Sequence, residues 1–358
     1  MVLLHLLRWL KNVYPELKAD VLTLKGGGLT MAFKDSCDAF YDYSSKQSES
    51  SLVQKLLYKL KLLKPIDRKK RLLNTLSDSR YDMIYANTVV SLPVAQAILK
   101  RSGNTKLLAH LHELPAVIMQ LLPDLDVYLK DVDQVIVPSR LVLTQLSEHW
   151  SIDESLVEVV YACSDVEVVS ANKKPSSVFT VGASGTVHWR KGQDIFVQLS
   201  RYITKHYPDM DLCFVWVGHI PKKERVILME DIRKLGLQEK VKFVGEVENP
   251  TPYYEGFDVF VMTSREDPFP LVCIEVGLLG KPIVSFDQAT GTNEILRQNG
   301  GFIVPYMDIE AMAEKIVSYY HDSELKELHG TYNKQAFSQF TPELICPQLF
   351  EVIQTVLK

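Results

Sequence analysis

Residues 264–284 read SREDPFPLVCIEVGLLGKPIV, and the way this stretch divides decides the fold. The residues before it, Asp258-Val-Phe-Val-Met262, are short, apolar and β-favouring, as a strand in a parallel sheet covered on both faces should be. A helix then begins near Pro270. Asp267 or a neighbour caps it, Pro268 or Pro270 suits its first turn, and Gly280 followed by Lys281-Pro282 ends it before a strand at Ile283–Phe286. On that helix Glu275 lies at helical spacing from Leu271, Val272, Leu278 and Leu279, which predicts it on the inward face. A charge there is costly unless something satisfies it.

In an open parallel sheet, ligands bind outside the carboxyl ends of the strands, where the loop after Thr263 and the helix it feeds belong. Free backbone N–H groups at a helix start favour phosphate, and a carboxylate further along accepts hydrogen bonds from sugar hydroxyls. The residues also fit a plainer reading, in which Asp267 is only an N-cap and Glu275 a partly buried acid paired with a lysine.

Strand and helix alternate throughout the second half. Residues 178–181 read as a strand, GASGTVHWRKG follows at 182–192, and Ile195, Phe196, Leu199, Tyr202 and Ile203 form one helical stripe. Glycines after a strand and a lysine at a helix start supply what a diphosphate needs: bare amides, a dipole and a point charge. Arg190 and Lys191 stand there. Residues 212–217 form a strand ending in Gly218-His219, and 241–244 one ending in Gly245-Glu246. Asp209-Met-Asp211 has the form of a metal-binding triplet, but between a helix and a strand it reads as a turn. Gly291-Thr-Asn-Glu294 opens another helix, 301–305 is the last strand, and helices follow at 308–320 and 341–358.

The first half is less regular. It opens at Val2 already inside an amphipathic helix, where a doubly wound domain starts with a strand, so Met1 reads as an internal residue of a longer frame. Strands are predicted at 20–24, 81–86, 106–111, 134–138 and 157–162, and helices at 93–100 and 139–149. Lys25-Gly-Gly-Gly-Leu29 is either a flexible turn or a point of close approach to a ligand. Residues 35–51 suggest a short strand and an exposed loop. Residues 52–76 are leucine-rich and basic, which suits either a solvated helix packed on the sheet or peripheral contact with an anionic membrane. The strand at 106–111 delivers His112-Glu113 at its end, and the polar run 170–177 reads as a linker.

A chain of 358 residues has room for two domains, and 46% hydrophobic with 23% charged residues is ordinary for a soluble globular protein. A net charge of −4 argues against a dedicated nucleic-acid binder. Five single cysteines give no zinc-site spacing and suit a reducing compartment. No apolar run reaches the roughly 18–20 residues of a membrane span, and no G-x-G-x-x-G suggests a nicotinamide enzyme.

The stretch DPFPLVCIE resembles the E-x7-E signature of the family 4 (group 1) retaining glycosyltransferases, with Asp267 in place of the usual first Glu and Glu266 one residue out of register. The resemblance is strong over 178–345 and weak in the first half except at 110–114, HLHEL. It implies an α/β protein of GT-B fold, two Rossmann-like doubly wound domains facing across a cleft. An acceptor domain at 1–169 lacks its first strand, the linker is 170–177, a nucleotide-sugar domain spans 178–340, and a helix at 341–358 crosses back to the first domain.

The implied activity is transfer of a sugar from a nucleotide-diphosphate sugar to a glycan, lipid-linked or small-molecule acceptor, with retention, in polysaccharide biosynthesis. The setting is cytoplasmic, with peripheral membrane contact through 52–76 and no metal or other cofactor. The alternative is a degenerate, non-catalytic member that binds nucleotide sugar. By resemblance, Glu275 binds the ribose, His112 and Asp267 hold the donor sugar, and Gly245-Glu246 meets the base. Lys191 matches the family's K-G lysine, and Arg190 stands in for an arginine usually found near Gly185-Thr186. Gly185 and the backbone from Phe269 through Pro270 and Leu271 to Val272 face the diphosphate. Cys163-Ser-Asp165 replaces the usual asparagine-glycine pair, and Asn293 replaces a proline.

Overall fold

The computed structural model describes residues 1–44, 68–165 and 178–358. The linker 170–177, most of the loop after residue 42 and the first part of the basic stretch, 52–67, lie outside the described residues.

Six parallel strands form the larger sheet: β7 (Phe179–Ser184), β8 (Leu212–Val217), β9 (Val241–Gly245), β10 (Val259–Met262), β11 (Ile283–Phe286) and β12 (Gly301–Val304). Their order is β12-β11-β10-β7-β8-β9. The chain winds outward one way from β7 and, after β9, returns to β10 and winds the other way. The connections after the adjacent strands β7 and β10 therefore lead to opposite sides of the sheet, which makes the carboxyl ends of these two strands its topological switch point.

All four residues of β10 are buried. Val259 and Val261 enter one core with Phe196, Phe214 and Trp216, and Phe260 and Met262 enter another with Cys273, Ile274 and Val276. This period-2 division over two apolar faces is why the strand reads as an unbroken apolar run. Each fully buried side chain of this size contributes roughly 1.5–3 kcal/mol.

The first half carries β1 (Asp20–Thr23), β2 (Ala39–Asp42), β3 (Met83–Asn87), β4 (Lys106–His110), β5 (Gln134–Val137) and β6 (Val157–Val159), all parallel where they pair. A single wound sheet is the sequence expectation, but these strands form two: β1-β2 and β3-β4-β5-β6. The Tyr81 hydroxyl bridges them by donating to Asp20 Oδ2 at 2.7 Å.

The helix Val2–Val13 and the final helix Pro342–Leu357 pack together, so Val2 and Leu6 share a core with Leu108, Leu349 and Ile353. Asp209 lies in a turn, as its position between helix and strand predicts. The helices Pro115–Leu121 and Ser323–Phe337 were not legible in the sequence.

Candidate active site

The loops after β7 and β10 are zipped together by backbone. Arg265 N–H donates to Arg190 O at 2.7 Å, Thr263 Oγ1 to Lys191 O at 3.2 Å, and the Arg265 guanidinium to Trp189 O at 2.6 Å. Gly192 makes the close approach possible. Its φ is 71°, and a Cβ there would lie 1.9 Å from Thr263 O, so only glycine fits. Gly185, with φ of 145°, lies under the aliphatic stem of Lys191.

This zipper brings three of the sequence-predicted residues into one cluster. Lys191 Nζ lies 2.5 Å from Asp267 Oδ2, Arg190 Nη1 lies 3.2 Å from Asp267 Oδ1, and Ser264 Oγ donates to Asp267 at 3.3 Å. Asp267 is 4% exposed. Burial alone pushes its carboxyl up, but Lys191 and Arg190 outweigh it and hold the group below its ordinary value. Asp267 is therefore not an N-cap. The helix Leu271–Leu278 starts with Pro270 at its N-cap and no side-chain cap, because both Asp267 oxygens are committed to cations.

The predicted inward face of that helix also needs correcting. It buries Cys273, Ile274, Val276 and Gly277, whereas Leu271, Val272, Glu275, Leu278 and Leu279 are only half-buried. Close contact sets the rotation: a Cβ on Gly277 would lie 2.2 Å from the Phe337 ring, so this face meets the helix Ser323–Phe337. Glu275 is neither in bulk solvent nor paired with a lysine. Among the described residues it accepts one hydrogen bond, from Ser164 Oγ at 3.3 Å, and burial raises its proton affinity above the ordinary value.

The other proposed contacts are spread more widely. Phe269 is buried between Tyr161 and Phe340, with ring centroids 5.0 and 5.2 Å away. Gly245 ends β9 with φ of 93° and accepts from Gly218 N–H at 2.9 Å, and Glu246 is exposed and paired with His219 Nδ1 at 3.1 Å.

The opposite wall comes from the turn after β4. His112 Nε2 lies 2.9 Å from Asn87 Oδ1, and its ring lies against His110, tilted by 35° with centroids 3.9 Å apart. Burial lowers the His112 pKa to about 4. Glu113 accepts from the N–H groups of Val89 at 3.3 Å and His112 at 3.0 Å. Burial raises its carboxyl to about 7 against the pull of those amides and of Arg190 across the cleft.

Two acids of the second domain reach across and cap helices of the first. Glu266 accepts from Ala116 and Val117 N–H at 2.9 and 3.3 Å, and Glu294 accepts from Leu141 N–H at 3.0 Å and from the Tyr161 hydroxyl at 2.8 Å. Ser139 Oγ donates to Pro268 O at 3.0 Å beside them. The acid one residue out of register is thus an interdomain clasp. Glu266, Glu294, Glu113 and Ser164 stand in or beside stretches that the sequence singles out, but no local pattern gives them these partners, and Asn87 is marked only as a polar residue closing β3. Among the described residues no His, Cys, Asp and Glu side chains cluster as a metal would need, and no helix is long and apolar enough to cross a membrane.

Residues 177–322 match the family model described as glycosyl transferases group 1. The amylovoran biosynthesis glycosyltransferase AmsD of Erwinia amylovora is 28% identical over 131 residues, 37% of each chain. The capsular polysaccharide biosynthesis glycosyltransferase CapM of Staphylococcus aureus is 26% identical over 181 residues, 50% of this chain and 47% of the relative. The chain thus spans less than half the length of these curated relatives. Anabaena Alr3699/HepE, solved with UDP and glucose, superposes with a TM-score of 0.77 at 22% identity over 98% of this chain and 95% of the other. Sucrose-phosphate synthase from Thermosynechococcus elongatus does so with 0.74 at 20% identity over 94% and 88%. These likenesses establish the GT-B fold.

Proposed function

We propose that the protein is a family 4 retaining glycosyltransferase that moves a sugar from a nucleotide-diphosphate sugar to a glycan or lipid-linked acceptor. The observation that carries this reading is the cluster at the switch point, where Arg190 and Lys191 are held by the buried Asp267. Two cations and one carboxylate leave a net positive charge beside a helix start, which favours a diphosphate. Charge that develops on the departing diphosphate is met by groups already in place, which is where fixed electrostatics accelerates transfer most.

Glu275, with Ser164 as its hydrogen-bond partner among the described residues, has lone pairs left for ribose hydroxyls. His112 and Asp267 hold the donor sugar. No protein nucleophile is invoked, because the leaving phosphate takes the acceptor's proton. Arg190 and Lys191 neutralise the diphosphate in this reading, so we assign the reaction no metal, and activity should survive a chelator. AmsD and CapM, named for polysaccharide biosynthesis, and HepE, seen with UDP and glucose, support the substrate class. For a lipid-linked acceptor the reading places the protein in the cytoplasm, at the inner face of the membrane. The exposed Arg68, Lys69, Lys70 and Arg71 on the helix Arg68–Asp78 suit contact with anionic lipid there.

Calorimetry against UDP-, GDP- and ADP-linked sugars tests the reading, and one of them should bind. If none binds at millimolar concentration the reading fails, and binding without turnover on any acceptor would mark a degenerate member. NMR of the product's anomeric centre tests retention, which an inverted linkage would refute.

A further inference from the structure

Two imidazoles lie against each other at the end of β4, and they are not equivalent. His110 takes the Tyr85 hydroxyl at Nδ1, 2.6 Å away, while its Nε2 is buried with no partner among the described residues, so this ring is shut into the core. His112 lies on the cleft side, its neighbour Glu113 within the field of Arg190. Burial keeps both rings neutral, and a neutral imidazole has one N–H and one lone pair. The partner decides which nitrogen carries which. Asn87 Oδ1, 2.9 Å from His112 Nε2, can only accept, so this contact is a hydrogen bond in the tautomer that carries the proton on Nε2. Nδ1 has no partner among the described residues and is not among the buried unpaired atoms.

The surroundings hold this spacing. Asn87 is in register with His110 across the sheet, and Thr88 N–H donates to His110 O at 2.8 Å. Glu113 Oε2 gathers the amides of Val89 and His112, tying the turn after β3 to the turn after β4. Thr88 has φ of 83°, a conformation that a β-branched residue adopts only when its surroundings impose it.

We propose that Asn87 is a positioning residue that locks His112 in the Nε2–H tautomer and so presents Nδ1 to the cleft as an acceptor for a hydroxyl of the donor sugar. The sugar rests on the transferase reading, but the tautomer does not. An acceptor at Nδ1 takes a hydroxyl and leaves a deoxygenated carbon without a partner.

Long-range 15N–1H correlation on the full, ligand-free chain, with His112 assigned by its loss in His112→Ala, reads the tautomer directly. The expected pattern is protonated Nε2 and bare Nδ1. A protonated Nδ1 or a doubly protonated ring overturns the proposal. Asn87→Leu should lower donor kcat/KM at least tenfold, and Asn87→Asp, which keeps the accepting oxygen, should recover most of that loss. In a His112→Ala background Asn87→Leu should cost less than threefold, since a positioning residue acts through its partner. A tenfold loss in that background too would overturn the proposal. If Asn87→Leu fails to fold, the wild-type spectrum still decides. If the wild type turns over no donor but shows the Nε2–H pattern, the transferase reading falls and the Asn87 lock stands.

Discussion

The two walls of the cleft deal with buried polar groups in opposite ways. On the second domain's wall charge is kept and paired: Asp267, 4% exposed, lies against Lys191 and Arg190. On the first domain's wall charge is given up. His110 and His112 are neutral, and Glu113 is raised to about 7. Desolvation acts on both, and only the supply of opposite charge differs. A paired, net-positive wall suits a phosphate ligand, and a neutral wall of single donors and acceptors suits uncharged hydroxyls.

The largest effect should come from removing a cation from the paired wall. Lys191→Ala should lower donor turnover by about 2–4 kcal/mol in transition-state stabilisation and also lower the thermal midpoint, since Asp267 loses its nearest partner. Wild-type turnover would remove Lys191 from the site.

Glu275→Ala sharpens the contrast within that wall. Donor affinity measured by calorimetry should fall by a similar or smaller amount, about 2–4 kcal/mol. Its thermal midpoint should hold or rise, because the lost group is a desolvated acid with one 3.3 Å hydrogen bond. A marked fall in the midpoint would make Glu275 structural.

The neutral wall predicts a pH signature. Glu113 has a folded-state pKa of about 7, above its ordinary 4.5, so its contribution is full below about 4.5 and is lost as pH rises through 7. Glu113→Gln cannot ionise, so it should gain stability relative to wild type as pH rises from 5 to 8, by about 2–3 kcal/mol in denaturant titrations. His112 acts oppositely. Its pKa is lowered to about 4, so its contribution is present above about 6.5 and is lost as pH falls through 4. A flat difference between Glu113→Gln and wild type would deny that Glu113 is held near neutrality.

The smallest effect concerns the clasps between the walls. Glu266→Ala and Glu294→Ala each remove a carboxylate from helix-start amides and should cost about 1 kcal/mol apiece. The double variant should show a larger radius of gyration by X-ray scattering. An unchanged radius would mean the shared core alone holds the halves together.

Most of the second domain was legible because its signals are local. Period-2 burial in β10, the glycine-rich turn before Gln193–His206 and the stop at Gly280 are each set within a few residues. The first domain was less legible: its strands divide into two sheets, and short helices such as Pro115–Leu121 lack a full apolar period. Asp267 shows the limit of local rules. A cap forms with amides two or three residues away, and this acid is held instead by cations 76 and 77 residues distant. Glu266 finds its amides 149 and 150 residues away.

The sequence by itself determined the alternation of strand and helix through the second half and which residue types gather at the strand ends, because helix and strand periodicities act between near neighbours. The tertiary structure alone decided which acid pairs with a cation, which clasps the other domain, which stays nearly unpartnered, and which nitrogen of His112 faces the cleft. Those outcomes depend on where two loops part at the switch point and on how deeply each group is taken from water, and neither distance nor burial is written in sequence spacing.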